Sequence, residues 1–353
     1  MLIRAFQPQD TDGIMRIWNS CVEAGEVLYY PLKEDYFKRK FLSGEGRSPE
    51  NLLVAEKDGR ITGFIQGVAP ESFRGGSPGC AYLTVLMTDR EHRRQGTAKA
   101  LLEALCRRMV LLGADRMQIS NWNPVQLDWR IPGTPGHDHN NMPGADFGCE
   151  GYWFLERAGF EVRYREVSMY RALSGYQLPE EVKALRGRLL EQGIYTGPYD
   201  PKLDCDYDLL CDHVQSEYWR DVLRTEIRAL KTGLPNEDER MWADGTPPRG
   251  PRTLLTAVHD GRIVAFTGPV DLQKSGRGWF TGICTDPGYE KRGIATVLFN
   301  LLMEAFVREG AAFATLFTGM DNHAQKIYLA AGLRPVREFR LMSLALKGDR
   351  ADA

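Results

Sequence analysis

Arg93-Arg94-Gln95-Gly96-Thr97-Ala98 decides the fold, because Glu290-Lys291-Arg292-Gly293-Ile294-Ala295 repeats its pattern of basic pair, glycine and small residue 197 positions later. Each hexapeptide follows a β-rich run, Ala81 to Thr88 or Trp279 to Thr285, and each opens a segment with a helical apolar stripe. In the first copy the stripe is Ala98, Leu101, Leu102, Leu105, Met109 and Leu112; in the second it is Ala295, Leu298, Phe299, Leu302 and Phe306. Steps of three and four put these side chains on one helix face, which must lie on a sheet to be buried. Gly113 and Gly310 stand where a left-handed cap ends a helix. The segments Arg116 to Ser120 and Phe313 to Thr318 then predict further strands. Strand, turn, helix and strand, twice over, imply an α/β chain with a mixed sheet in each of two tandem domains.

Working outward, Leu52-Leu53-Val54-Ala55-Glu56-Lys57-Asp58-Gly59-Arg60-Ile61 recurs as Leu254-Leu255-Thr256-Ala257-Val258-His259-Asp260-Gly261-Arg262-Ile263, an offset of 202. Asp-Gly between two β-rich runs predicts a tight hairpin, since glycine supplies the positive φ that the turn demands. The last shared landmark, Ala158-Gly159-Phe160 against Ala331-Gly332-Leu333, has an offset of 173, so the first copy carries 24 extra residues. They fall within about 121–150, a Gly-, Pro- and Asn-rich stretch expected to form an irregular loop that covers or shapes a cleft. Trp122, Trp129 and Trp153 flank it, and simple packing is the plainer expectation for them. The domains are expected over 1–172 and 197–353, with a linker over 173–196 that contains a charged helix from Glu180 to Gln192.

A helix start presents unpaired N–H groups and partial positive charge, and a glycine there lets the main chain approach a diphosphate. Arg93 and Arg94, or Lys291 and Arg292, add positive charge to that anion site. A solvated strand-to-helix turn is the alternative for one copy alone, and its recurrence in register favours the anion site. The pattern Arg-x-x-Gly-x-Ala resembles the coenzyme A turn of the GNAT N-acetyltransferase superfamily. Arg93, Gly96 and Ala98 match it, whereas the second copy has Glu290 at the first position. The family's second landmark is an Asn, a Tyr after five intervening residues and a Gly four positions later. It is complete as Asn322, Tyr328 and Gly332, whereas the first copy has Leu155 four before Gly159 and its nearest tyrosine at Tyr152.

The resemblance covers nearly the whole chain apart from the linker and the insert. It implies two GNAT-like domains that use acetyl-CoA or another acyl-CoA as co-substrate, without a metal. The implied cofactor-binding residues are Thr88, Arg93, Arg94, Gln95, Gly96, Thr97 and Ala98 in the first copy. In the second they are Thr285, Lys291, Arg292, Gly293, Ile294, Ala295 and Asn322, with the pantetheine arm pairing to backbone at Thr88 or Thr285. Tyr328 is the family-matched candidate for the acid that protonates the leaving thiolate; a core aromatic is its structural alternative. No carboxylate stands on the strand before either turn, where Thr84-Val85 and Thr281-Gly282 occur instead.

Composition narrows the partners. Apolar residues at 43% and charged residues at 26% provide for two real cores. Lys plus Arg number 45 against 47 Asp plus Glu, without the basic excess that nucleic-acid binding relies on. Seven scattered cysteines without a CxxC pair argue against a disulfide framework and point to reduced thiols in a cytoplasm. Neither an export signal nor a membrane span is legible. His137-Asp138-His139 lacks further ligands at motif spacing and is expected to be solvated rather than to hold a metal. The expected activity is N-acyl transfer to a primary amine of a small molecule or peptide. The complete landmark puts the working site in the second copy, in a layout similar to mycothiol-synthase-like tandem members. An acyl-CoA sensor without transfer, and a bifunctional enzyme with both copies active, are the alternatives.

Overall fold

The computed structural model describes residues 1–234 and 250–346, so the expected second domain at 197–353 lies partly outside the described residues. Residues 1–168 together with the C-terminal strand from Val336 onward form one compact unit, and residues 169–335 form another.

The first unit is built on β1 (Leu2–Ala5), β2 (Leu52–Lys57), β3 (Arg60–Val68), β4 (Cys80–Thr88) and β5 (Arg116–Ile119). The first four run antiparallel in sequence, β4 and β5 are parallel, and the C-terminal strand (Arg334–Ala345) pairs antiparallel with β5 through Met342↔Ile119 to Ala345↔Arg116. A two-residue turn joins β2 to β3, with Asp58 and Gly59 both left-handed at φ 52° and 73°. On one face of the sheet, α1 (Thr11–Glu23) buries Ile14, Ile17 and Trp18 among Phe37, Phe41, Val54 and Phe64. On the other, the helix Thr97–Leu111 buries Leu101, Leu105 and Met109 against Ile65, Ala81, Met117 and Met342. Of the apolar stripe seen in the sequence, Leu101, Leu102, Leu105 and Met109 pack, whereas Leu112 follows the helix end and is exposed. Gly63 and Gly67 of β3 let that helix approach, since a Cβ on either would meet Leu101, Thr97 or Leu105 at about 3.0 Å.

The segment 121–150 is more ordered than an irregular loop. Val125, Leu127, Trp129 and Ile131 alternate into the interior, and Trp129–Arg130 pairs with Asp138–His139 in a small hairpin. Period-two burial is the signature of an extended chain with one face on a core. Trp129 is wholly buried, meets Phe339 edge-on at 5.2 Å and stacks on His139, whereas Trp122 and Trp153 are exposed. The expectation of a solvated His137-Asp138-His139 therefore fails at His139, which is buried, and whose Nδ1 accepts the Asn141 N–H at 3.1 Å.

The second unit carries the repeat: strands Tyr195–Pro198, Leu255–His259, Arg262–Gly268 and Gly282–Thr285 form an antiparallel sheet. Its hairpin repeats the left-handed pair at Asp260 and Gly261, and the helix Ile294–Arg308 repeats the apolar stripe. The strand expected over Trp279 to Thr285 is interrupted. Arg277–Trp279 pairs in parallel with the strand Phe313–Gly319, and the ladder to Arg262–Gly268 starts only at Gly282. Between them Phe280 packs on Phe299 and Phe306 at 5.9 and 6.3 Å, so an aromatic ring fills the break. All seven cysteines are free, and among the described residues no helix is long and apolar enough to cross a membrane.

If the C-terminal strand belongs to the core of the first unit, Phe339→Ala should destabilise that unit by about 3–5 kcal/mol, the usual loss for a buried aromatic. Hydrogen exchange read by peptide fragment should show β5 losing protection while the helix Ile294–Arg308 keeps its own. Unchanged exchange in β5 would contradict the assignment.

Candidate active site

Both glycine turns adopt the same main-chain path. Arg94 and Gly96 are left-handed at φ 61° and 85°, and Lys291 and Gly293 at 61° and 84°. A non-glycine residue rarely takes a left-handed φ, so its recurrence at Arg94 and Lys291 marks a conformation that the turn itself requires. In each copy the glycine is the last residue before a fifteen-residue helix, whose first-turn N–H groups lack intrahelical acceptors.

What covers the two turns differs. At Gly96 a Cβ would meet nothing within 4 Å, so the main chain lies open. At Gly293 a Cβ would lie 2.7 Å from Leu185 of the helix Glu180–Glu191, so that side chain already occupies the approach. The second copy's cleft is narrowed further by Trp219, whose ring a Cβ on Gly282 would overlap.

In the first unit, the parallel ladder between β4 and β5 covers only Cys80–Tyr82 opposite Arg116–Gln118. Beyond Tyr82 the strands part, and a cavity of about 750 Å³ opens along Leu83 to Thr88. One end is lined by Arg93, Arg94, Gly96, Thr97, Ala98 and Lys99 at the helix start. Its far wall comes from the 121–150 segment and from Arg337 of the C-terminal strand. β4 also bulges here: Gln66 pairs with Val85 but Gly67 with Leu83, leaving Thr84 as the extra residue. Asn123 pins that bulge, its amide donating to Thr84 Oγ1 at 3.0 Å and to the Leu83 carbonyl at 3.4 Å. Bulges re-aim backbone groups beside sites, and this one directs main chain at the cavity.

Thr88, Arg93, Arg94, Gly96, Thr97 and Ala98 are thus brought together, while Gln95 points away and accepts from Lys57 Nζ at 3.2 Å. Arg93 is held by Glu26 at 2.5 Å, and that guanidinium keeps the Glu26 carboxyl below its ordinary range. In the second copy Lys291 and Arg292 are exposed, with Arg292 over the Tyr289 ring at 4.9 Å. Ile294 is buried, Ala295 half-buried, and Thr285 paired with Ala265. Asn322 is exposed; its Nδ2 donates to Thr318 Oγ1 at 3.0 Å and its Oδ1 accepts the Ala324 N–H at 2.9 Å, bonds that shape the loop before the helix Gln325–Ala330. Tyr328 is 7% exposed and packs on Phe299 at 4.8 Å, with its phenol pushed up to about 12 by burial. It sits as a core aromatic and does not line the cavity of the first unit.

Tyr152 lines the cavity instead. It lies on the helix Glu150–Arg157, three residues before Leu155, and so shares a face with the position where the family pattern expects its tyrosine. That one-turn displacement was legible in the sequence; Glu26, Asn123, Asp146 and Arg337 gave no such signal. Burial, and then the Glu156 carboxylate that its hydroxyl donates to at 3.0 Å, raise the Tyr152 phenol.

The model of the acetyltransferase (GNAT) family matches residues 12–127 and 216–332. No curated protein matches by sequence. Among solved structures, a GCN5-related N-acetyltransferase from Sphaerobacter thermophilus superposes with TM-score 0.55 at 15% identity, over 98% of this chain and 96% of that one. A tandem GNAT protein from the clavulanic acid biosynthesis pathway gives 0.51 at 13%, over 99% of both chains. The GCN5-related glucosamine N-acetyltransferase region of a fungal multi-domain GH3 β-N-acetylglucosaminidase gives 0.60 at 16%, over 97% of this chain; the chain spans only 38% of that protein. At such identities the likeness is one of fold.

Because Arg93 depresses Glu26, their pair stabilises the first unit above the ordinary carboxylate value of 4.5 and is lost as pH falls through the lowered one. Glu26→Gln should therefore flatten the decline of melting temperature with acid below about pH 4.5. An unchanged acid limb would remove the pair from the stability of the turn.

Proposed function

The chain belongs to the acetyltransferase (GNAT) family, and on that premise we propose that it is an acyl-CoA-dependent N-acyltransferase whose working site is the cavity of the first unit. The observation that carries this reading is the open glycine turn at Gly96, continuous with the parted strands and the 750 Å³ cavity. The residues fit an acyl-CoA. First-turn N–H groups with Arg93, Arg94 and Lys99 suit a diphosphate, and the strand edge from Thr84 to Thr88, which β5 leaves without a ladder, suits the amides of a pantetheine arm. Bound there, the co-substrate would supply a thioester carbon for an amine to attack: the C–N bond forms as the C–S bond breaks, the nitrogen gives up one proton to solvent and the thiolate takes one up, leaving an amide and a thiol.

In this reading the Tyr152 phenol, protonated at neutral pH as phenols are, turns its proton from Glu156 to the departing sulfur. Glu156, which accepts from its hydroxyl, orients it. Asn123 holds the Thr84 bulge, whose main-chain N–H groups would steady the negative charge that develops on the thioester oxygen. The second unit, with Leu185 on Gly293, acts as a scaffold rather than a second acyl-CoA site. This favours a single active copy over the bifunctional alternative. The setting proposed is cytoplasmic and the acceptor a primary amine of a small molecule or peptide.

Calorimetric titration with acetyl-CoA should give one site per chain, and Gly96→Glu should abolish it by placing a carboxylate at the diphosphate. Two sites, or one that survives Gly96→Glu, would return the function to the second copy. Tyr152→Phe should lower kcat by about 10²-fold, the lower end of general acid effects, with acetyl-CoA affinity unchanged. Equal turnover would remove Tyr152 from proton transfer.

A further inference from the structure

The far wall of the cavity holds an ion pair whose carboxylate is buried and whose guanidinium is 28% exposed. Arg337 Nε donates to Asp146 Oδ1 at 2.6 Å and Nη2 to Oδ2 at 3.0 Å, a two-pronged fork. Asp146 is 6% exposed, and its Oδ1 also accepts the Gly148 N–H at 2.9 Å, so backbone and guanidinium together fix the carboxylate. The pair stands on the opposite arm of the cleft from the glycine turn. The C-terminal strand passes the end of β5 at Met342↔Ile119 and continues outward to Phe339↔Asp146, while Arg93, Arg94 and Lys99 gather where β4 leads into its helix. Phosphate recognition and Arg337 are therefore separate.

Resting on the acyltransfer reading above, we propose that the acceptor amine also carries a carboxylate, and that Arg337 binds this carboxylate through the guanidinium edge that Asp146 leaves open. A guanidinium has five N–H donors, and Asp146 takes one from Nε and one from Nη2. Three remain on the Nη1/Nη2 edge, the geometry that receives a second carboxylate bidentately. The first fork pre-orients the group, so little side-chain entropy is lost when the second forms. Gly148 leaves room for the guanidinium itself: a Cβ there would overlap its Cζ, Nη1 and Nη2 and push the group out of place. The cavity wall on this side includes the apolar Leu127, Met142 and Ala145 and the half-buried Tyr29. An anion there has few competing donors and draws strength from the low local dielectric. Acceptors of this class are free amino acids, in which one molecule supplies both the nucleophilic nitrogen and the carboxylate.

The test uses the full chain with acetyl-CoA and the common α-amino acids, β-alanine and γ-aminobutyrate, each assayed beside its own carboxamide. For at least one pair the acid should exceed the amide in kcat/KM by about 10²-fold, as expected when a site built for a charged bidentate contact loses it. For that acid, Gly148→Ala should raise KM about tenfold, the scale of one displaced hydrogen-bonding group, with acetyl-CoA affinity unchanged. Arg337→Gln should bring acid and amide to parity. Amides acylated as well as acids, or acetyl-CoA bound without acylation of any of these acids, would overturn the proposal while leaving the acyl-CoA reading in place. Failure of acetyl-CoA to bind would overturn both.

Discussion

The first unit depends on the point at which β4 and β5 stop pairing. A parallel ladder that ends at Tyr82 leaves the main chain from Leu83 to Thr88 without a neighbouring strand on that side, and backbone polar groups away from water are costly unless something satisfies them. Such an edge invites an extended ligand with amide groups of its own. The cavity follows from that divergence, and so does the need for a wall on its far side. Position 121–150 supplies the wall, anchored by Trp129 on Phe339 and by Asp146 on Arg337.

That wall explains why the first unit includes the end of the chain. Met342 joins the core beneath the helix Thr97–Leu111, Phe339 backs Trp129, and Arg337 reaches the cavity. One strand thereby closes a sheet, supports an insert and brings a charged group to the cleft. Phe339 and Met342, three apart and so on opposite faces of the strand, are both buried, which makes the contribution one of hydrophobic burial first and of charge second.

The two glycine turns form an internal control. Their φ values agree to within a degree, and both open a fifteen-residue helix, so the local anion-site geometry is a property of the hexapeptide. Only the surroundings separate them, with open space over Gly96 and the Leu185 methyls over Gly293. A motif can thus keep its backbone after losing access. The complete Asn322 to Gly332 landmark shows the same point: Asn322 ties its own loop together and Tyr328 fills a core position beside Phe299.

The sequence by itself determined the local elements: both Asp-Gly hairpins, both striped helices and both left-handed glycines stand where spacing and residue type put them. These depend on backbone sterics and on periodicities within a dozen residues, and such short-range constraints are written directly in the chain. The displaced tyrosine at Tyr152 was legible on the same grounds, as a one-turn shift along a helix face. The tertiary structure alone decided that a cavity runs beside Leu83 to Thr88, where Arg337 lies, and that Leu185 lies against the second glycine. Each of those outcomes joins residues about a hundred or more positions apart, such as Asp146 with Arg337 and Leu185 with Gly293. No local propensity encodes which distant side chain arrives at a turn; packing of the folded chain settles it.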